Sequence, residues 1–385
     1  MISGHAGPLA ALGGAAGGAA LHVAELGSAL ARLGHDVRVY LHRAGPATPL
    51  ATDAVLHHLR PFGRWLAGRW THGWRPDAMH AHGWTGGLAA LVARRAVPAA
   101  VVQTFHVLAT VERRHQGDRR TGPSARMSLE RSLLRDVDRV VALSRAELDE
   151  LMALGADTRR LAVIPSGVDS AVFRPADRRT GVRDVRHRYR ILSVGPLAEH
   201  QGFEELILAL PAVPGAELVI VGGPPRAGLG TDREAVRLRG LAKVHGVADR
   251  VRLVGGVDRA DLPRWYHSAD VLACTPWYEP SGRTAIEGMA CGVPVVATAA
   301  GALLDIVVDG STGVHVPPRD PVALAGALRA LLADPARQRE YGTAGVVRAR
   351  RVYSWEETAR RMATLYADAI EAHRRTSGPG LAADG

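Results

Sequence analysis

Two glutamates eight residues apart, Glu279 and Glu287, lie in the stretch Pro276–Val296, which is the part of the chain richest in groups able to do chemistry. Its pattern reads strand, loop, helix, turn, strand, which puts Glu279 in the loop and Glu287 in the helix's first turn. Ionised carboxylates only accept hydrogen bonds, so such a pair suits a ligand carrying hydroxyl groups. Ser281, Gly282, Arg283 and Thr284 stand where free amides at a helix start would face an anion such as a diphosphate. A plainer account competes, because Thr284-x-x-Glu287 also spells a capping box in which Glu287 bonds back to the N-cap amide. His106 closes the run from Ala100 to Phe105, and a histidine at a strand end is either a ligand-facing group or a structural one. Gly13, Gly14, Gly17 and Gly18 precede an apolar helix, and Gly222 and Gly223 follow an apolar strand. Glycines in those places let backbone N–H groups approach an anion closely. His80 and His82 alternate without a metal-ligand spacing, and no H-E-x-x-H occurs. Asp136-x-Asp138 lies where a helix gives way to a strand, which makes a poor metal–diphosphate clamp.

The elements that must hold these residues alternate between two periods. Val23, Leu26, Leu30 and Leu33 recur at three and four, giving one helical face that stops at Gly34. Short apolar runs follow at Val37–Tyr40, Ala78–Ala81, Ala100–Gln103, Arg139–Leu143 and Leu161–Ile164. A second series runs through Ile191–Val194, Leu218–Val221, Val251–Val254, Val271–Cys274 and Val293–Ala297. Short apolar strands joined by helical crossovers predict parallel sheets covered on both faces, hence two doubly wound α/β domains. The expected limits are 1–172 and 191–352, with a linker at 173–190, a closing helix within 353–376 that begins near Trp355, and a disordered tail at 377–385. The linker's polar run of arginines and aspartates reads as a solvated hinge ahead of a polyanion site. Met1–Ser3 leaves almost no room for a first strand, so either that strand is a stub or the gene product begins earlier.

Composition removes several alternatives. The chain has 385 residues, 47 % of them apolar, which suits a globular protein of two to three domains. The formal charge is +10, yet Lys243 is the only lysine, so the cations are arginines set in an Ala- and Gly-rich background. That bias weakens a nucleic-acid reading, and the scarce aromatics form no stacking platform. A Walker-type loop needs G-K-[ST] and a Schiff-base enzyme needs a buried lysine; Lys243 has neither context. Cys274 and Cys291 are too few for a disulfide framework or a four-cysteine zinc site, and asparagine is absent. No apolar run is long enough to cross a bilayer, so a cytoplasmic protein is expected, with peripheral membrane contact left open.

At Pro276–Val296 the chain resembles the E-x7-E signature of the family 4 retaining glycosyltransferases, which have the GT-B fold. The resemblance extends in order through Ala16–Val23, Gly34–Val37, Gln103–His106, Arg139–Ser144, Ile164–Asp169 and Gly310–Gly313. It is similar to bacterial enzymes of the sucrose-phosphate-synthase and mycothiol-glycosyltransferase type. The resemblance implies two Rossmann-like domains facing a cleft, a nucleotide-sugar donor (most often UDP), and no metal or other cofactor. It implies a small hydroxylated acceptor and, with this composition, an actinobacterial-type enzyme of specialised metabolism. Carried over by position, Glu287 would hold the nucleotide ribose and Glu279 the transferred sugar. His106 would face that sugar, and Gly17 and Gly18 would line the phosphates with the loop Ser281, Gly282, Arg283 and Thr284. Gly195, His200 and Gln201 would stand on the donor side; His82, Glu112 and Arg126 would stand on the acceptor side. Arg126 matches an arginine that some relatives use on a phosphorylated acceptor.

Departures from the pattern are specific. The family's G-R-L-x-x-x-K-G, whose Arg and Lys neutralise the donor diphosphate, reads here Gly195 to Gly202 with Pro196 and Gln201 at the two cation positions. Losing two charge-assisted contacts weakens transition-state stabilisation at roughly 1.5–3 kcal/mol per contact. Arg283, His200 or Arg226 would be candidate replacements. Glu112 stands where a lysine is expected, which disfavours a phosphorylated acceptor. Two readings therefore remain, an active retaining transferase and a catalytically weakened GT-B auxiliary or pseudo-glycosyltransferase, with a nucleotide-sugar epimerase behind them.

Overall fold

β-Branched and alanine-rich runs, each too short to be anything but a strand, pair side by side in two separate sheets. The computed structural model describes residues 1–3, 18–42, 52–116, 125–176 and 187–377. In the first sheet, β1 (Ile2–Ser3), β2 (Tyr40–Leu41), β3 (Ala78–His82), β4 (Ala100–Thr104), β5 (Arg139–Ala142) and β6 (Leu161–Val163) are ordered β2-β1-β3-β4-β5-β6. In the second, β7 (Tyr189–Val194), β8 (Ala216–Val221), β9 (Val251–Gly255), β10 (Val271–Cys274), β11 (Val295–Thr298) and β12 (Gly313–Val316) are ordered β12-β11-β10-β7-β8-β9. Every pairing is parallel. One compact unit holds the first sheet together with the chain from Thr358 onward; the other spans Ser166–Glu357 and holds the second sheet.

Burial on both faces is visible along single strands of the second unit. Leu192, Val219, Leu272 and Val295 join one apolar cluster, while their neighbours Ile191, Leu218, Val271 and Val296 join the cluster on the opposite face. That alternation, with helices on each side, makes the sheet doubly wound. In the first unit the helix Trp355–Ser377 packs on the sheet. Its Tyr366 hydroxyl lies 2.6 Å from His80 Nδ1, and its Thr358 hydroxyl donates to the Pro165 carbonyl at 3.2 Å.

Several boundaries differ from the sequence expectation. Among the described residues β1 pairs through Ile2 and Ser3, and β2 runs Tyr40–Leu41 instead of Val37–Tyr40. Leu33, expected on the buried face of the helix Gly18–Arg32, is 43 % exposed, since it falls past the helix's last turn. β4 ends at Thr104, so His106 stands in the loop beyond it, with φ of 67°. The linker is shorter than 173–190, because Phe173 is buried in the second unit's core and Tyr189 and Arg190 already belong to β7. Arg190 is fully buried and is held by Glu217 at 2.8 Å. β11 begins at Val295, two residues later than expected. The loop glycines Gly13, Gly14 and Gly17, linker residues 177–186 and the tail 378–385 fall outside the described residues.

The helix Arg145–Ala153 shows how a buried carboxyl can serve a cap. Its Glu147 amide donates to Ser144 Oγ at 3.1 Å, while Glu147 Oε2 accepts the Leu143 amide at 2.7 Å. Burial pushes the Glu147 carboxyl up from 4.5 to about 7. A raised carboxyl favours the folded state while protonated, so this contribution is full below the unfolded value and fades as pH rises toward 7. At about 1.4 kcal/mol per pH unit between the two values, Glu147→Gln should gain about 3 kcal/mol on the parent between pH 4 and pH 8. Urea unfolding at the two pH values measures it, and parallel stabilities would refute it.

Candidate functional site

At the carboxyl end of β10 the chain turns through Trp277–Gly282 into the helix Arg283–Ala290. Gly282 is the N-cap, with φ of 60°, a left-handed conformation that suits glycine, and a Cβ there would run into Ile306. Glu279 Oε1 accepts the amides of Ser281 at 3.1 Å and Gly282 at 2.8 Å, as well as the Ser281 hydroxyl at 3.2 Å. Two of the loop amides expected to face a diphosphate, those of Ser281 and Gly282, are thus turned onto the chain's own carboxylate. Among the described residues Glu279 Oε2 makes no hydrogen bond. The Glu279 carbonyl is also pinned, accepting the Ala302 amide at 2.7 Å beside Gly301.

The capping box does not form. With Gly282 as the cap, Glu287 falls beyond the first turn, and the Thr284 hydroxyl donates instead to the Val194 carbonyl at 3.4 Å. Glu287 is 3 % exposed and both its oxygens are taken, Oε1 by Arg259 at 2.6 Å and Oε2 by the Tyr266 hydroxyl at 2.9 Å. Neither Arg259 nor Tyr266 was picked out from the sequence. They lie 28 and 21 residues before Glu287, and only the sheet order brings them to it. Burial and the Glu287 carboxylate push the Tyr266 phenol well up, so it donates as a neutral group.

The remaining donor-side residues gather on the same edge. Gly195 follows β7, and its amide donates to the Val221 carbonyl at 3.0 Å. Gly202 has φ of 70° and sits so close to the Thr275 carbonyl that a Cβ would collide with it. The Thr275 hydroxyl reaches the carbonyls of Gln201 at 3.3 Å and Gly202 at 3.0 Å, and the Trp277 amide donates to the His200 carbonyl at 2.9 Å. A small pocket results, lined by Ser193, Gln201, Thr275, Glu279, Gly282 and Thr284. Arg283 is half-buried beside it, with no hydrogen bond or ion pair among the described residues. Burial draws its guanidinium below the usual arginine range, while Glu287 and Glu279 pull the other way and Arg259 adds to the lowering. Arg226 begins an exposed turn after β8.

The first unit carries the other predicted residues. Gly18 opens the helix Gly18–Arg32, and Gly17 lies outside the described residues. His106 is 9 % exposed, and its Nε2 lies 3.1 Å from Nδ1 of His82. His82, expected to touch an acceptor, is fully buried, because it ends β3 under the rings of His80 and His22. His22 went unnoticed in the sequence, although it follows Gly18 by one helical turn. Arg126 and Glu112 are also re-partnered. The Arg126 guanidinium reaches Glu130 at 2.8 Å, Glu112 at 2.6 Å and the Val107 carbonyl at 2.8 Å. Those contacts turn the guanidinium onto the chain's own acidic and carbonyl groups.

Comparison with known proteins places this architecture. Residues 16–172 match the model for Glycosyltransferase Family 4, and residues 181–347 match that for Glycosyl transferases group 1. A D-inositol 3-phosphate glycosyltransferase of Xylanimonas cellulosilytica is 34 % identical, covering 96 % of this chain and 96 % of that protein. The chain belongs to the family 4 glycosyltransferases and has their GT-B fold. The transferase is also similar to a glycogen synthase of Mycobacterium tuberculosis, at 31 % identity over 93 % of each chain. Its fold superposes on sucrose-phosphate synthase from Thermosynechococcus elongatus with a TM-score of 0.84 and 27 % identity, covering 96 % of this chain and 99 % of that one. HepE of Anabaena, solved with UDP and glucose, shares the fold at a TM-score of 0.71 and 19 % identity, over 91 % of this chain and 96 % of that one. Among the described residues of the transferase, no helix is long and apolar enough to cross a membrane.

The Glu287 arrangement can be tested by itself. Tyr266→Phe removes one donor to a buried carboxylate and should cost about 1.5–3 kcal/mol of stability, the range for hydrogen bonds to charged groups. Urea unfolding of the second unit's transition reads this directly; an unchanged midpoint would show that Glu287 does not depend on the phenol.

Proposed function

We propose that the transferase moves a sugar from a nucleoside diphosphate, UDP on the best reading, to a hydroxyl of a small acceptor with retention of anomeric configuration. The observation that carries this is Glu279 on the lining of the pocket at the end of β10, keeping one carboxylate oxygen unoccupied among the described residues, with Glu287 buried in the helix that follows. A carboxylate held rigid through one oxygen offers the other to sugar hydroxyls without losing its orientation. Glu287 is fixed by Arg259 and Tyr266, so its remaining lone pairs suit ribose hydroxyls. Retention without a protein nucleophile fits a front-face path, in which the leaving diphosphate draws the proton from the acceptor hydroxyl as the sugar's positive charge develops. His106 would sit at the sugar, and the enzyme would work in the cytoplasm, in specialised metabolism.

The acceptor is proposed to be unphosphorylated. Relatives named for D-inositol 3-phosphate act on a phosphorylated compound, but here Glu112 and Glu130 already neutralise Arg126. On the donor side, the diphosphate charge that Pro196 and Gln201 do not meet would fall to Arg283, a half-buried cation without a partner among the described residues. The second reading, a weakened GT-B auxiliary protein, is favoured by those same two uncharged positions.

Thermal stabilisation against a panel of nucleotides, followed by donor hydrolysis, separates the readings. UDP should raise the melting temperature, and Glu279→Ala should abolish turnover; binding without any turnover in the parent would establish the auxiliary reading. Arg283→Ala should weaken UDP binding roughly ten- to hundredfold, as loss of one charge-assisted contact to phosphate implies. Unchanged calorimetric affinity in that variant would remove Arg283 from the donor site.

A further inference from the structure

Four histidines meet at the carboxyl ends of β3 and β4 and on the helix Gly18–Arg32. The ring of His82 lies 4.1 Å from that of His80, 5.3 Å from that of His106 and 5.7 Å from that of His22, centre to centre. Among the described residues no three His, Cys, Asp or Glu side chains are set to share a metal ion. Their hydrogen bonds are nevertheless ordered. His80 is satisfied at both nitrogens, Nδ1 by the Tyr366 hydroxyl at 2.6 Å and Nε2 by the Thr104 hydroxyl at 2.8 Å. His82 has a single partner, since its Nδ1 faces His106 Nε2 at 3.1 Å while its buried Nε2 meets no donor or acceptor among the described residues.

That asymmetry decides where the protons are. A neutral imidazole carries one N–H and one lone pair, and a buried N–H without an acceptor is rare. The orphaned Nε2 of His82 is therefore the bare nitrogen, and Nδ1 holds the proton and donates it to His106. His106 Nε2 must then accept, which leaves the proton of His106 on Nδ1. We infer that His82 is a positioning residue which, through the Nδ1–H···Nε2 bond, locks His106 as the neutral Nδ1-protonated tautomer. The inference rests on the proposed transfer reaction only for its kinetic consequence.

The surroundings support a neutral pair. Burial holds His82 well below the usual histidine value, and His80, His106, His22 and the Met1 amino group all lower it further. His80 is lowered by burial, by His22 and by the same amino group, and burial keeps Tyr366 a phenol. No carboxylate figures among these influences. Protonating His106 would place a second proton on Nε2 against the His82 N–H, and relieving that clash would force the His82 proton onto its orphaned nitrogen.

Ring-¹⁵N-labelled histidine in the full chain tests the assignment directly, with His82→Asn and His106→Gln used to identify the signals. At pH 7 the His82 Nδ1 and His106 Nδ1 signals should be those of protonated nitrogens, and His106 Nε2 that of an unprotonated acceptor. The opposite tautomers, or a His106 protonated at both nitrogens, would overturn the inference whether or not the protein turns over. In kinetics, His82→Leu should lower kcat about tenfold or more with KM for the donor nearly unchanged, as a wrong tautomer would. His82→Asn, whose amide nitrogen replaces Nδ1, should restore kcat. A His82→Leu enzyme with parental kcat would refute the positioning role. A parent that shows the expected tautomers but no turnover would instead count against the transferase reading.

Discussion

A carboxylate placed in an apolar interior must be paired or protonated, and Glu287 meets that demand in a way that orders the second unit. Arg259 and the Tyr266 phenol occupy its two oxygens at 2.6 and 2.9 Å. Both partners then converge on one ring, with the Arg259 guanidinium 4.8 Å above Phe173 and Tyr266 edge-on to it at 6.0 Å. Phe173, the last apolar residue before the polar linker, is thereby drawn into the core of the second unit. The helix Arg283–Ala290 can present Glu287 to that cluster in only one rotation. Gly282 must accordingly turn left-handed to start the helix, and Glu279 is left at the loop's outer edge, its Oε1 tied to the turn.

Most of the second sheet was legible because β7, β8, β10 and β11 are buried on both faces and read as short apolar runs, whereas the edge strand β12, whose Val314 and His315 are only half-buried, was not expected. Val271–Cys274 is observed with the limits expected of it, and its neighbours differ by a residue or two at their ends. β1 and β2 were not legible in the same way, since a two-residue strand has no period and its limits depend on what its partner offers. The Thr284-x-x-Glu287 spacing misled for another reason. It fits a capping box and a ligand pair equally well, and the choice turns on the backbone of Gly282, which a string of letters does not show. Arg126 and Glu112 sit 14 residues apart on two different helices, so their ion pair follows from tertiary structure rather than spacing.

The two units present opposite electrostatic solutions. In the second, acidic and basic groups are set against each other at the strand ends: Glu279 bonded to amides, Glu287 paired with Arg259, and Arg283 close enough to feel both carboxylates without bonding to either. In the first, the corresponding strand ends carry histidines that burial and mutual proximity keep neutral. Neutral rings impose direction through one N–H and one lone pair, whereas charges act over distance.

This division also gives physical meaning to the altered Gly195–Gly202 segment. A cation on that turn would project from a loop that Thr275, Trp277 and Gly202 pin to the end of β10, and Gln201 fills the place with a neutral amide. Arg283 instead arises from the helix start, where the peptide dipoles already favour an anion and a half-buried guanidinium is little screened. Gln201 and Arg283 are both half-buried, so the two positions differ in the helix start behind Arg283 rather than in exposure. On the proposed reaction, one arginine at a helix start would meet part of the charge that two cations on the Gly195–Gly202 turn would otherwise meet, provided that its desolvation is met by the ligand rather than by Glu287, which Arg259 already holds.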